Sequence, residues 1–263
     1  MKGILPYLKE GQMLILESTV YPGATNEILI SKLKQRFVIG KNFFIGYSPE
    51  RENPGDKYFS YQKTPKVVSG HTKNCSLIIE KFYKIISKKV YVSTSIAVAE
   101  TSKLLENLYR AVNIGLINEF KIICKKLDID VFDVIDAAST KNFGFHKFTP
   151  GPGWGGHCIP IDPFYLSWIS RKKGYDPKLI SVSGKINTLI SKRIVDEIIL
   201  FIKNKYRNKK KIRFLIIGLS YKKNVDDDRE SPSYAFFKIL NNKKIFFDYY
   251  DPYFPQTILG RVN

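Results

Sequence analysis

Met13-Leu14-Ile15-Leu16-Glu17-Ser18-Thr19-Val20-Tyr21-Pro22-Gly23 opens on an unbroken apolar run and closes on turn residues. A short apolar run bounded in this way reads as a strand buried on both faces. Ala24 to Leu33 follows with helical spacing, and a short helical piece, Ile4 to Lys9, precedes it. The pattern then repeats. Phe43-Phe44-Ile45-Gly46-Tyr47 and Val67-Val68-Ser69-Gly70 read as strands, Cys75 to Ile86 as a helix and Val90-Tyr91-Val92 as a strand. Strands alternating with helices predict an α/β fold, a parallel sheet with helices packed on it.

The middle of the chain changes character. From Ile96 to Leu127 there is no proline, and Gly115 is the sole glycine. Leu104, Leu105, Leu108, Val112, Leu116, Phe120 and Ile123 recur at helical intervals, which predicts one long helix or two in line. At 1.5 Å per residue it spans roughly 50 Å, a length that fits a link between domains or a subunit interface. Asp130 to Ala138 and Ile180 to Ile202 predict further helices. The last part returns to α/β. Arg213 to Gly218 reads as a buried strand, and Ser231-Pro232 as the N-cap and first turn of a helix through Leu240. Ile245 to Tyr250 reads as a second strand. The predicted parts are residues 1–92, a helical 93–202 and 203–263.

The chain has 263 residues, 44% hydrophobic and 25% charged, an ordinary globular composition. No apolar run approaches a membrane span, and Met1 to Pro6 lacks the apolar core of a signal peptide. Three cysteines provide no disulfide framework, which makes a reducing, cytoplasmic setting the default expectation. The net charge is +19. Nucleic-acid binding is one reading of that number. Compositional drift is the other: Lys, Ile, Asn, Phe and Tyr are abundant together, and Lys88-Lys89, Lys125-Lys126 and Lys209-Lys210-Lys211 are scattered without an aromatic platform. Drift is the reading adopted, with no nucleic-acid partner and no membrane partner expected.

Gly151-Pro152-Gly153-Trp154-Gly155-Gly156-His157-Cys158 sets a thiol directly after a glycine-dense turn, with Asp162 four residues on. Glycine lets a backbone approach a ligand closely, so Cys158 reads as a presented nucleophile. Cys75 and Cys124 read as buried structural cysteines, and no metal site is expected at His157-Cys158. Lys103 and Asn107 share one helical face and suit an oxyanion or a water; a solvated polar face, with Glu100, Glu106, Arg110, Asn113, Asn118 and Glu119, is the reading that spacing alone favours. Glu50 and Thr19 follow strands, where α/β proteins place ligands, and ordinary surface turns are the alternative. Asp226-Asp227-Asp228 reads as a solvated acidic turn, with Arg229 near a helix N-terminus placed to meet a phosphate.

Five co-linear runs together resemble the UDP-glucose/GDP-mannose dehydrogenase family. They are Glu17 to Gly23, Tyr47-Ser48-Pro49-Glu50-Arg51, Ala99 to Asn107, the glycine-cysteine run, and Gly218-Leu219-Ser220-Tyr221-Lys222 through Pro232. Within that family, Gly155 to Leu166 with Cys158-Ile159-Pro160 is similar to the subgroup oxidising UDP-N-acetylhexosamines, and the Tyr21 and Glu50 variants to UDP-N-acetylglucosamine 6-dehydrogenases.

The resemblance implies a partial Rossmann-like NAD-binding domain over 1–92, a central helical dimerisation domain over 93–202 and a partial nucleotide-sugar-binding domain over 203–263. It implies NAD as cofactor, a UDP-sugar as substrate, a homodimer through the long helix, and a product feeding surface polysaccharide synthesis. Cys158 would form a thiohemiacetal and then a thioester. Lys103 and Asn107 would stabilise the oxyanion or orient water, and Asp162 and Glu50 would assist proton transfer. Thr19 and Arg229 would contact the cofactor. Lys222, Gly155 and the loop Lys147-Phe148-Thr149-Pro150-Gly151 would contact the nucleotide sugar. UDP-glucose, UDP-N-acetylmannosamine and UDP-N-acetylgalactosamine are the alternative substrates, and an inactive remnant or a dimerising nucleotide-sugar-binding fragment is the alternative to an enzyme.

Two departures qualify the resemblance. Pro54 stands where some relatives carry a second glutamate after Glu50, and nothing here matches G-x-G-x-x-G after a first strand. The chain is therefore expected to begin midway through its first domain and end partway through its last. Weak or no NAD binding and no turnover are expected of this polypeptide alone.

Overall fold

The computed structural model describes residues 3–53, 62–156, 159–206 and 213–256. His157, Cys158 and Pro54 lie outside the described residues. The chain divides into two compact units, Met1–Asn107 with Phe164–Asp176, and Leu108–Pro163 with Pro177–Asn263.

The first unit holds a four-stranded sheet in the order β1 (Met13–Leu16), β2 (Phe44–Tyr47), β3 (Lys66–Gly70), β4 (Val90–Val92). β1 pairs parallel to β2 from Met13 opposite Phe44 to Leu16 opposite Tyr47, and β3 pairs parallel to β4. β2 and β3 run antiparallel, with Gly46 opposite Gly70, where a fully parallel sheet was expected. A parallel return needs a long crossover, usually a helix, and no helix is found among the described residues between β2 and β3. Between β1 and β2, Thr25–Ile30 winds as a π-type turn and runs on into α1 (Ser31–Leu33). α2 (Lys73–Ile86) starts on Thr72, whose hydroxyl accepts from the Cys75 N–H at 3.2 Å.

Alternation along β3 divides the core. Val67 packs with Leu33, Phe43, Ile45, Tyr47, Ile96 and Ala99 on one face, and Val68 with Cys75, Ile79 and Tyr83 on the other. Cys75 and Cys124 are both buried, as expected.

α3 (Ile96–Lys126) is one helix of 31 residues. Its burial departs in part from the apolar periodicity: Leu104 is buried and Leu108, Val112 and Phe120 are half-buried, but polar residues share the buried stripe and three of the apolar residues do not. Glu100, Leu104, Asn107, Ala111, Gly115 and Asn118 form the buried stripe, while Leu105 and Leu116, at 61% and 60% exposed, face outward with Tyr109 and Ile123. The solvated polar face predicted to hold Glu100, Asn107 and Asn118 is therefore corrected: these three side chains are fully buried.

The second unit combines α3 from Leu108 onward with α4 (Val131–Ser139), α6 (Lys178–Lys205), β5 (Arg213–Ile217), α7 (Pro232–Asn242) and β6 (Phe246–Tyr250). α5 (Asp162–Lys172) lies between α4 and α6 in the chain and was not anticipated from sequence. Asp130 caps α4 by accepting the Phe132 N–H at 2.7 Å. β5 and β6 pair parallel from Arg213 opposite Phe246 to Ile217 opposite Tyr250. Phe214, Ile216 and Phe247 pack on Leu240 of α7 and on Val195 and Ile199 of α6. Ser231 caps α7 by accepting the Ser233 N–H, with Pro232 in the first turn, as predicted. Among the described residues no helix is long and apolar enough to cross a membrane.

Candidate functional site

In the first unit the predicted residues gather at the C-terminal end of the β1–β2 pair. The ladder continues past both strands: the Ser48 N–H donates to the Leu16 carbonyl at 3.0 Å, and the Glu50 N–H to the Glu17 carbonyl at 3.4 Å. The loops bearing Thr19 and Glu50 thus leave the sheet side by side, at the edge where open α/β sheets bind ligands. Thr19 is half-buried there. Arg51 ties the Glu50 loop to two other elements. Its guanidinium donates to the Pro65 carbonyl at 2.8 Å and pairs with Glu106 at 2.8 Å. Glu106 immediately precedes buried Asn107 on α3, and half-buried Lys103 lies one turn earlier. Glu50, Lys103 and Asn107 are thereby brought to one region of the unit.

Glu50 is held tightly for a half-exposed carboxylate. Its Oε1 accepts the N–H groups of Arg51 at 2.7 Å and Glu52 at 2.6 Å, and its Oε2 accepts from Lys66 Nζ at 3.1 Å. Burial pushes the Glu50 carboxyl up, but the Lys66 ammonium and the two backbone N–H groups outweigh it and hold it below the ordinary carboxylate range.

Glu100 has a different task. It is fully buried and accepts the N–H of Gly23 at 2.5 Å and of Thr25 at 2.9 Å. These donors lead into the helical turn at Thr25, so a carboxylate of α3 occupies a helix N-terminus that otherwise attracts phosphate. The N–H groups of Gly23 and Thr25, taken by Glu100, leave the Thr25 turn unsuited to a pyrophosphate. Nearby, Trp168 of α5 meets Tyr21 edge-on at 5.1 Å between ring centroids, which fastens α5 to the loop that carries Thr19.

In the second unit a buried amide network anchors the loop Lys147 to Gly151. Asn118 accepts the Gly151 N–H at 2.9 Å and donates to Asn187 at 3.2 Å, and Asn187 donates to the Ala111 carbonyl at 3.0 Å. Ser191 donates to the Pro152 carbonyl at 2.6 Å. Phe148 packs against Tyr109 and the Ile117–Ile135 core, and exposed Lys147 pairs with Asp136 at 2.5 Å. Thr149 is exposed and Pro150 half-buried. Asp162 opens α5 and is buried.

The glycine run closes on protein. A Cβ at Gly155 would lie 2.8 Å from Tyr221 Cβ and 3.0 Å from Pro232 Cδ. At Gly156, φ is +82° and a Cβ would lie 2.9 Å from the Tyr221 ring. The Gly156 N–H donates to the Arg229 carbonyl at 3.1 Å. These two glycines seat the 218–232 loop, bringing Gly155, half-buried Lys222 and Arg229 together. The Arg229 guanidinium is engaged by Asp227 at 2.8 Å and 2.6 Å, and Asp228 accepts the Tyr234 hydroxyl, so two members of the predicted solvated acidic turn are engaged by side chains. Sequence reasoning missed Lys66, Glu17, Asn187 and Asp251 as parts of this machinery. A lysine directly before the strand residues Val67-Val68 was the one available signal.

Comparison with known proteins names the class. Three domain signatures of one family match in order: the NAD binding domain over residues 1–87, the central domain over 97–189 and the UDP binding domain over 215–262. The chain belongs to the UDP-glucose/GDP-mannose dehydrogenase family. It is 38% identical over 251 residues to a UDP-N-acetyl-D-glucosamine 6-dehydrogenase of Pseudomonas aeruginosa, covering 94% of this chain and 58% of that one. It is 35% identical over 251 residues to a UDP-N-acetyl-D-mannosamine dehydrogenase of Methanococcus vannielii, covering 95% and 55%. A solved UDP-N-acetyl-mannosamine dehydrogenase of Staphylococcus aureus superposes with a TM-score of 0.83 at 33% identity, over 97% of this chain and 59% of that one. The chain thus spans little more than half the length of these relatives, and the α/β reading of its sequence agrees with the shared fold.

Proposed function

We propose that this chain carries the nucleotide-sugar 6-dehydrogenase chemistry of its family, with NAD as hydride acceptor and UDP-N-acetylglucosamine as substrate. The observation that carries the reading is the gathering of Glu50 and the Lys103–Asn107 turn at the end of the β1–β2 pair, joined through Arg51 and Glu106. The choice of sugar rests on the Cys158-Ile159-Pro160 run and on similarity to the Pseudomonas enzyme; UDP-N-acetylmannosamine is the second candidate, from the Methanococcus and Staphylococcus proteins.

In this reading the C6 alcohol is oxidised to an aldehyde, and the Cys158 thiolate adds to its carbonyl carbon. The C–S bond keeps the aldehyde from escaping between two oxidations. The Lys103 ammonium and Asn107 amide donate to the oxyanion that forms at that carbon. A second oxidation gives a thioester, and water displaces the thiolate to release the uronic acid. Glu50 accepts a proton from that water, and Asp162 assists proton transfer. NAD supplies the sink for the hydride at each oxidation, with Thr19 and Arg229 as its contacts. The loop Lys147 to Gly151, with Gly155 and Lys222, holds the nucleotide sugar. The outward apolar side chains of α3 support self-association into a homodimer.

Calorimetric titration with UDP-N-acetylglucosamine, UDP-N-acetylmannosamine, UDP-glucose and UMP tests the substrate class. UDP-N-acetylglucosamine binding at least tenfold more tightly than UMP is the expected result. Equal affinity for all four, or binding of none, contradicts the reading.

A further inference from the structure

The geometry points to Lys66 as a positioning residue that fixes Glu50 as a proton acceptor rather than a proton donor, an inference that rests on the role given to Glu50 above. Lys66 lies on β3 with its side chain only 4% exposed. Its Nζ is 3.2 Å from Glu17 at the end of β1 and 3.1 Å from Glu50 after β2. Tyr83 of α2 donates its hydroxyl to Glu17 at 2.6 Å, and the Lys66 ammonium sits 5.4 Å from the Tyr83 ring centroid. Among the described residues, Arg51 with its partner Glu106, and Glu52, are further charged groups on or against the Glu50 loop.

An apolar residue suits a buried strand position better than an ammonium. Replacing buried ion pairs by hydrophobic residues is often neutral or stabilising, so stability alone gives weak reason for a lysine here. What the ammonium does is hold two carboxylates together that repel in its absence. It also fills a third acceptor position of Glu50. An ionised carboxylate has about four acceptor positions, and the two N–H groups and Lys66 fill three. Among the described residues the fourth, on Oε2, receives no further donor and is left to take a proton from water.

The test is a titration of Glu50 by carbon NMR of labelled glutamate carboxyls in the 263-residue chain. In Lys66→Met the Glu50 midpoint rises by about one pH unit. Lys66→Arg restores it, and Glu17→Gln, which leaves the ammonium to Glu50 alone, lowers it further. An unchanged or lower midpoint in folded Lys66→Met overturns the proposal. If that variant fails to fold, an unchanged midpoint in Glu17→Gln overturns it instead. Neither outcome depends on the substrate, so a failure here is separate from a failure of the calorimetric titration.

Discussion

Asp251 is buried just past β6, and one of its carboxylate oxygens accepts the N–H groups of Leu219 at 2.7 Å and Ser220 at 3.0 Å. The other accepts the Tyr253 N–H at 2.8 Å. Burial pushes the carboxyl up, and these backbone donors outweigh it, so Asp251 titrates below its ordinary value. A group depressed in the folded state contributes stability above its unfolded pKa and loses that contribution as pH falls through its folded value. Asp251→Ala leaves buried backbone donors without this acceptor and is expected to cost about 1–3 kcal/mol in urea unfolding at pH 7. The difference from wild type should shrink as pH drops below the ordinary carboxylate range; a difference that stays constant with pH contradicts the assignment. Leu219 and Ser220 lead directly to Tyr221 and Lys222, so the same substitution loosens the loop expected to meet the nucleotide sugar. None of this was legible from Asp251-Pro252 alone, which reads as a strand end. Lys66 and Glu100 were hidden for the same reason, since a partner distant in sequence decides whether a charged side chain is buried.

At the scale of elements, the length of α3 was legible and its orientation was not. The lack of proline over Ile96–Lys126 permits one continuous helix. Its leucines suggested the inward face, yet the buried stripe runs through Glu100, Asn107, Gly115 and Asn118. Gly115 lets α6 come close, since a Cβ there would lie 3.2 Å from Asn187 Nδ2, and the asparagines bond across that contact. Two apolar and polar stripes on one helix cannot be ranked by periodicity when both have a period of 3.6 residues. The leucine face remains exposed, and on α6 Leu189 and Leu200, which line a 560 Å³ groove against Glu119 and Ile122 of α3, are exposed too. A second copy covering this face is the expected use of it. Light scattering should give twice the 30.3 kDa chain mass for wild type and the monomer mass for Leu116→Glu. A wild-type monomer, or a dimer that survives the substitution, removes the long helix as the interface.

For the whole molecule, the family was legible because five motifs fall in sequence along one chain, and three domain signatures of that family match it. The glycine run was half legible. Its small residues were needed, and at Gly155 and Gly156 an added Cβ would meet Tyr221, a packing partner that the run itself did not announce. The central claim is the proposal that Cys158 is the nucleophile toward a sugar aldehyde. Native mass spectrometry of the chain mixed with the 6-aldehyde of UDP-N-acetylglucosamine tests it most directly. The account predicts a single adduct, heavier by the mass of one nucleotide sugar and surviving collisional activation that strips UMP from the same chain, that is absent under that activation in Cys158→Ala and retained in Cys75→Ala and Cys124→Ala. No adduct on the folded wild-type chain, or one that persists in Cys158→Ala, would contradict it.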